Sequence, residues 1–511
     1  MLNPLHHEKG APLPMSTNLS KSLYCSGVQC PKMLWLKKHR PELFDDSVMD
    51  QNVLETGLAV GDLAMGLFGD FREVLYGDLT EMIAETDRLL ADGVENIAEA
   101  SFAYDGMFCS VDILRNLPDG KAELYEVKSS TSVHEIYYHD VAYQMYVLEH
   151  LGFTVTKACL VYLDRSYVRG KELEIEKLFK IEDLTDQVRA MQDDVEARTA
   201  LLKQTILNPD EPGDDIGPHC SDPYDCGFWH HCTEHLPVPN VFDVSGMQKR
   251  TKFKYYNQGV ISFEELASGA KLNDGQRLQI SHALAELPDQ IDRASIRSFL
   301  SGLSYPLYFL DFESFQPAVP LYENSSPYDQ IVFQYSLHLI EGEGKALQHK
   351  EYLARPGEDP RRKLAEQLCR DIPRGVCTLA YNMTFEKTRI RELAGLYPDL
   401  SEHLMDIHDH IQDLMVPFQK KQYYTRAMEG SYSIKYVLPA LFPDDPALNY
   451  HNLEGVHNGT EASAAFAAME NMTEEELSAC RENLLKYCGL DTFAMVKVCE
   501  KLKETISADE K

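Results

Sequence analysis

No hydrophobic run in this chain approaches the roughly 20 apolar residues that a membrane span needs. The opening stretch "MLNPLHHEKGAPLPM" lacks the apolar core of a secretory signal. It reads as an extension ahead of a natural start at Met15, and the tail "SADEK" reads as frayed. The expected location is the cytoplasm, with no membrane partner. Positive charge is scarce: 49 Lys and Arg stand against 81 Asp and Glu, a net charge of −32. That argues against a nucleic-acid coat protein, which needs a basic surface. It leaves room for an enzyme that grips nucleic acid in a local basic groove. Internal repeats and low-complexity tracts are lacking too.

What is present is ordinary globular composition, 44% hydrophobic and 25% charged, over 511 residues, enough for two or three domains. Residues 16–235 mix helices with a β-rich middle and end in a cysteine cluster. Residues 236–300 are polar and helical, punctuated by "LPVPN" and "ASGAKLNDGQ". Residues 301–505 open on an apolar strand, continue as α/β and end in a helix.

That opening strand, "YPLYFLDFESF", carries two acids at its apolar end, Asp311 and Glu313. Alternate strand residues share a face, so the two carboxylates point the same way, about 5–7 Å apart. Burial sharpens their repulsion. A divalent cation between them is the expected remedy.

A second set of acids lies in "FCSVDILRNLPDGKAELYEVKSS". Pro118-Asp119-Gly120 predicts a hairpin with a type I turn and a left-handed Gly. That loop pairs Leu117 with Lys121 and, counting back, sets Asp112 opposite Glu126, with Lys128 on the same face. Two acids can hold a divalent cation, and a lysine can orient water or stabilise phosphate charge. An exposed polar hairpin face is the alternative. The pattern closely resembles the RecB-type PD-(D/E)xK nucleases: "VDIL" matches the motif's Asp, "EVK" its E-x-K, and "DVAYQMYVLEHLG" the following helix. The resemblance implies catalytic Asp112, Glu126, Lys128 and Gln144, approach of Tyr146 from the same helix, and a metal set of Asp112, Glu126 and Glu99. Where the family often carries a metal-binding His after a Gly, this chain has Gly61 followed by Asp62.

In "HCSDPYDCGFWHHC", Cys220, Cys226 and Cys232 have five residues between successive cysteines, and "YCSGVQCPKMLWL" adds Cys25 and Cys30 upstream. The chain has twelve cysteines. In a cytosolic protein these are expected as free thiols or metal ligands rather than disulfides. The spacing is not the C-x-x-C of a zinc knuckle, yet His230, His231 and His235 keep zinc in view. RecB-type nucleases of the CRISPR-adaptation and AddB kinds clamp a [4Fe-4S] cluster between one early and three late cysteines. By that resemblance Cys30, Cys220, Cys226 and Cys232 are the ligands, with zinc as the alternative and a structural role for the group.

"LDFES" in turn resembles the first motif of DnaQ-like exonucleases, whose acids bind two metal ions. "TLAYNMTFEKTRI" supplies the second motif, with Glu386 where the family usually has Asp. "TEEELSACRENLLKYCGLDTFAMVKV" opens with a Thr473–Glu476 capping-box signature and spaces Tyr487 and Asp491 on one helix face. The resemblance implies that Asp311, Glu313, Glu386 and Asp491 hold Mg²⁺ or Mn²⁺ while Tyr487 orients the attacking water. Asp413 resembles a further family position, with a structural role as the alternative. An RNase H-like fold with a degenerate site is the competing reading.

Two basic and aromatic stretches stand out from the acidic background. One offers Lys249, Arg250, Lys252, Lys254, Tyr255 and Tyr256; the other offers Lys420, Lys421, Tyr423, Tyr424, Arg426 and Lys435. Cations track phosphates and rings stack on unpaired bases; a solvated helix face with core tyrosines is the alternative. Lys37, Lys38 and Arg40 lie beside the early cysteines. The whole layout resembles a bacterial and archaeal family that joins an iron–sulfur RecB-like nuclease to a DnaQ-like exonuclease. The expected fold is α/β: a PD-(D/E)xK restriction-endonuclease-like domain over 16–235, a helical linker over 236–300, and an RNase H-like 3′–5′ exonuclease domain over 301–505. The implied function is a metal-dependent nuclease with two sites, acting on DNA with single-stranded ends in repair, recombination or defence. An RNA-processing exonuclease and a nucleic-acid-binding scaffold are the alternatives.

Overall fold

The computed structural model describes residues 18–48 and 51–507. The segment before Met15 and the last four residues of the tail lie outside the described residues. The protein is α/β and divides into two compact units. One ends at His235 and takes in Ala318–Pro327; the other holds Leu236–Pro317 and the chain from Tyr328, so the stretch 236–300 groups with the second sheet. Among the described residues no helix is long and apolar enough to cross a membrane.

The first unit is built on seven strands: β1 Leu19–Ser20, β2 Arg72–Glu73, β3 Asn96–Tyr104, β4 Met107–Leu117, β5 Lys121–Lys128, β6 Thr154–Leu163 and β7 Phe179–Asp183. Their order is β2-β3-β4-β5-β6-β7, with β1 parallel to the start of β4. Turn chemistry dictates the antiparallel half. Asp105 and Gly106 both have positive φ, 47° and 73°, which suits a two-residue hairpin between β3 and β4. The β4–β5 turn pairs Leu117 with Lys121 as expected, but Asp119 as well as Gly120 is left-handed (φ 63° and 70°), so it is not the expected type I form. Strands β5 and β6 are parallel, which requires a crossover. The helix Glu135–His150 provides it and is buried on most of its surface, Asp140 and Gln144 included. Along β4 the pleat sends Met107, Cys109, Val111 and Ile113 into the core and leaves Ser110 and Asp112 on the other face.

The second unit centres on β9 Leu307–Phe315, β10 Ile331–Ile340, β11 Gln348–Leu353, β12 Cys377–Ala380 and β13 Ile411–Asp413, in the order β11-β10-β9-β12-β13. The pairs β11–β10 and β10–β9 are antiparallel; β9–β12 and β12–β13 are parallel. A small ribbon pairs β8 Gln290–Ile291 with β14 Tyr423–Tyr424. The two faces of β9 serve different cores. Tyr308, Leu310 and Phe312 pack with Leu337, Leu364 and Ile390. Leu307 and Phe309 pack with Leu490, Ala494 and Val498 of the long helix Glu474–Ser507. The period of two therefore turns Asp311 and Glu313 toward that helix. The helix begins with the capping box read from the sequence: Glu476 N–H donates to Thr473 Oγ1 (3.4 Å) and Thr473 N–H to Glu476 Oε2 (2.9 Å).

Candidate active sites

In the first unit the sheet ladder is interrupted at Asp112. The pairs Ala98–Ile113 and Ala100–Val111 flank it, and the residue facing it on β3, Glu99, is left-handed at φ 55°. Such a conformation costs about 1–3 kcal/mol in a non-glycine residue and marks functional sites more than frameworks. On the other side the β4–β5 ladder stops at Ile113–Tyr125, and Asp112 Oδ2 itself accepts the Val127 N–H at 2.6 Å.

Glu126, 1% exposed, lies beyond that break. Its carboxylate accepts from Lys128 Nζ (2.6 Å), Gln144 Nε2 (2.7 Å) and Lys21 Nζ (2.8 Å). Lys128 also reaches Asp140 at 2.7 Å, and Gln144 donates to Asp140 at 3.0 Å. Burial would push Glu126 up, but Lys128 and Lys21 outweigh it and hold the carboxyl well below its ordinary range. Asp112 goes the other way. Burial and the Glu126 charge push it up to about 7. Neighbouring carboxyls tuned apart in this way are a mark of acid–base sites. Buried Gln144 keeps an unpartnered Oε1. Glu99 is raised by burial and by the charges of Glu126, Glu73 and Asp62, so it belongs to the same field. Tyr146 turns away and packs its ring, tilted by 33°, against His150 at 4.0 Å.

Two members of this site were not legible as such. Asp140 stands four residues before Gln144 on the helix, a spacing that could have exposed it. Lys21 has no local signal, lying 105 residues from Glu126.

In the second unit Asp311, Glu313 and Cys488 each offer a ligand atom within 4.8 Å of the others. Burial first, then Asp491, Glu313 and Glu386, push Asp311 far above its ordinary value; Glu313 is raised by burial, Asp491 and Glu386. Glu386 rises to about 8, through burial and then Asp413. It is 3% exposed, and its Oε2 has no partner. Asp491 is lifted to about 6 by burial, against the pull of Tyr450, whose hydroxyl donates to it at 2.6 Å, and of Tyr487. Asp413 accepts the backbone N–H groups of Asn382 (3.0 Å) and Met383 (3.3 Å), so it fixes the left-handed turn at Asn382 (φ 69°) that aims Glu386. Its role is structural. Lys435 contributes a positive charge toward Glu313 and Asp491. The helix Gly459–Ala468 starts so near that a Cβ at Gly459 would lie 3.7 Å from Glu313 Oε2. Cys488 and Tyr450 carried no recognisable sequence signal.

The four cysteines singled out from the sequence line one small cavity with Ile216, Met33, Leu36 and Phe228. Cys30 is in it and Cys25 is not; His219 lines it, and His230, His231 and His235 do not. His231 instead pairs with Glu211 at 3.1 Å. Burial lifts Cys30 and Cys232 to about 11. Backbone N–H groups point at the sulfurs: Gly217 at Cys220 (3.5 Å), Met33 and Lys32 at Cys30, Phe228 at Cys226. Gly227 lets Phe44 press on the loop, since a Cβ there would meet the ring at 2.5 Å.

The basic stretches divide. Lys249, Arg250 and Lys254 are exposed on one helix, whereas Lys252 is tied to the Phe242 carbonyl at 2.6 Å. Tyr256 is buried, and the Tyr255 hydroxyl accepts the Lys271 backbone N–H at 2.8 Å. Lys420 and Arg426 are exposed. Tyr423 (5% exposed) and Tyr424 (1%) are core residues, which corrects the expectation that they stack on bases. Lys421 donates to the Gly430 carbonyl and sits over the Tyr424 ring, and burial lowers it to about 8. It acts as a structural cation there.

Residues 308–433 match the family described as Domain of unknown function (DUF2779). That span starts on β9 and includes Asp311, Glu313 and Glu386 but not Asp491. The chain is 28% identical over 238 residues to "Uncharacterized protein UU173" of Ureaplasma parvum, covering 42% of this chain and 34% of that protein. It is 24% identical over 217 residues to "Uncharacterized protein MG366" of Mycoplasma genitalium, covering 40% and 32%. The matches thus span about a third of the length of these curated relatives. No solved structure matches.

Proposed function

We propose that the protein is a metal-dependent nuclease with two candidate sites. The observation that carries this reading is the acid group of buried Glu313 and Glu386 with half-buried Asp311 and Asp491. Four neighbouring carboxyls, with Asp311 and Glu313 pushed up by burial and by the other acids, and Glu386 left with an orphaned buried oxygen, are a costly arrangement unless a divalent cation is shared among them. The strand order and directions of the second unit support an RNase H-like exonuclease domain. The antiparallel β3-β4-β5 run with a helical crossover to parallel β6 supports a PD-(D/E)xK-like first unit.

Divalent ions, when bound, would activate water and neutralise charge on the attacking and leaving oxygens of a phosphodiester. The chain's own groups do the rest. Tyr487 orients a water beside Asp491, and Tyr450 fixes the rotamer of that carboxylate. In the first site Lys128, held between Glu126 and Asp140, orients water or meets the phosphate. Asp112 and Glu126 would be the metal ligands, with Gln144 Oε1 available to them or to their water.

The cysteine cavity fits a structural [4Fe-4S] cluster. Four cysteines lining one cavity, with backbone N–H groups directed at three of their sulfurs, support thiolate ligation of a four-iron cluster, with zinc as the alternative. Single-stranded DNA ends are the favoured substrate, and the exposed cations Lys249, Arg250, Lys254, Lys420 and Arg426 are candidates for phosphate contact. The test is cleavage of end-labelled single- and double-stranded DNA and RNA with Mg²⁺ or Mn²⁺ and with chelator. Binding without cutting under every condition would sink the enzyme reading in favour of a scaffold. Cutting of RNA alone would make it an RNA-processing exonuclease.

A further inference from the structure

Lys21 opens the helix Lys21–Gln29, directly after β1. Its ammonium lies 2.9 and 2.8 Å from the two oxygens of Glu126, 3.8 Å from Asp112 and 3.7 Å from Asp140. One cation within reach of three carboxylates occupies the place where a divalent ion would meet the same donors. Lys128 stands beside it on Glu126 and Asp140. The two ammoniums already offset much of the negative charge of these carboxylates, so little attraction remains for a free metal ion.

The position of Lys21 is built in. Strand β1 pairs with Met107 and Phe108, Leu19 N–H donates to the Gly106 carbonyl at 2.9 Å, and the Tyr143 hydroxyl donates to the Leu19 carbonyl. Ser20 caps the helix by accepting Leu23 N–H at 3.3 Å. The lysine side chain is only 19% exposed. A cation so placed leaves its carboxylates only in exchange for another anion, because an unpaired buried charge is costly.

We infer that Lys21 is the resident cation of the first site: it fills the divalent-ion position until a phosphodiester offers it a replacement anion. This rests on reading the site as a metal-dependent phosphodiesterase. The consequence is that metal and nucleic acid bind cooperatively, each raising the affinity for the other by the same factor. Unbound enzyme then carries little metal at this site.

The test follows Mn²⁺ binding by electron paramagnetic resonance in the full-length protein carrying Asp311→Asn and Glu386→Gln, which silences the second acid group. A short phosphorothioate oligonucleotide supplies the phosphodiester, and Asp112→Ala identifies binding at the first site. The parent should bind Mn²⁺ weakly alone and about tenfold tighter with the oligonucleotide. Lys21→Met should bind tightly in both conditions, with the coupling gone, and Lys21→Arg should restore it. A gain in metal affinity is not what a merely damaged site would give. Lys21→Gln serves if Lys21→Met does not fold. Equal Mn²⁺ affinity in the uncharged variant and the parent overturns the inference while leaving the metal reading intact. If neither protein binds Mn²⁺ at this site, with or without oligonucleotide, the metal reading fails and the inference fails with it.

Discussion

The Tyr450 hydroxyl donates to Asp491 Oδ1 at 2.6 Å across 41 residues of sequence. It thereby ties a short turn to the one acid of the second site that comes from the C-terminal helix. The bond favours the charged carboxylate, against the burial that raises it to about 6.

Tyr450→Phe should release Asp491 and raise its pKa. The acid limb of the pH–rate profile for end-directed cleavage should then move to higher pH. The loss of one buried hydrogen bond should cost about 1 kcal/mol of stability. An unmoved acid limb with an unchanged rate would show that this bond plays no part in the reaction.

The two acid groups should be separable. Asp112→Ala or Lys128→Ala should abolish one cleavage activity and spare the other, and Asp311→Asn should do the reverse. The comparison is made on the same set of end-labelled substrates. If Asp112→Ala leaves every activity on every substrate unchanged, the first site does not cut.

Without divalent ions, stability should fall as pH rises through the neutral range. Glu386 titrates near 8 in the folded protein, Asp112 near 7 and Asp491 near 6, all above ordinary carboxyl values. Between about pH 4 and 8 the folded state therefore holds protons that the unfolded chain has released, and the slope of stability with pH is negative. Glu126, held low, contributes the opposite way: its stabilisation is lost only as pH falls through the acid range. Metal bound to the folded state replaces those protons, so the gain in melting temperature with Mg²⁺ or Mn²⁺ should grow as pH rises. Glu386→Gln should flatten both trends, and thermal melts across the pH range with and without chelator check them. Asp311→Asn should leave metal-free stability nearly unchanged or raise it, since folding no longer has to put a proton on this carboxyl. A large loss there would mark Asp311 as a satisfied structural acid.

Protein purified without oxygen should be brown, with the broad visible absorbance of an iron–sulfur centre. Cys232→Ala should lose the colour and much of the stability, because a cluster held by these cysteines would staple Cys30 to residues near the end of the unit. Colourless protein with stoichiometric zinc would rule the cluster out.

The sequence by itself determined the parts of this protein that depend on local periodicity and turn chemistry. The pleat placed Asp311 beside Glu313, the Pro-Asp-Gly loop set the register that brings Asp112 toward Glu126, and helical spacing put Tyr487 on the face of Asp491. Short-range rules suffice there because each pair is joined by one strand, one hairpin or one helical turn. Only the tertiary structure decided which distant groups complete the sites. Lys21 reaches Glu126 because β1 pairs with β4, Tyr450 reaches Asp491 from a separate turn, and Cys488 meets Asp311 because the last helix packs on β9. The same packing buried Tyr423 and Tyr424, whose aromatic and basic neighbourhood had pointed to the surface. Composition cannot tell a stacking ring from a core ring, since both are large and apolar; which it becomes depends on whether another element covers it.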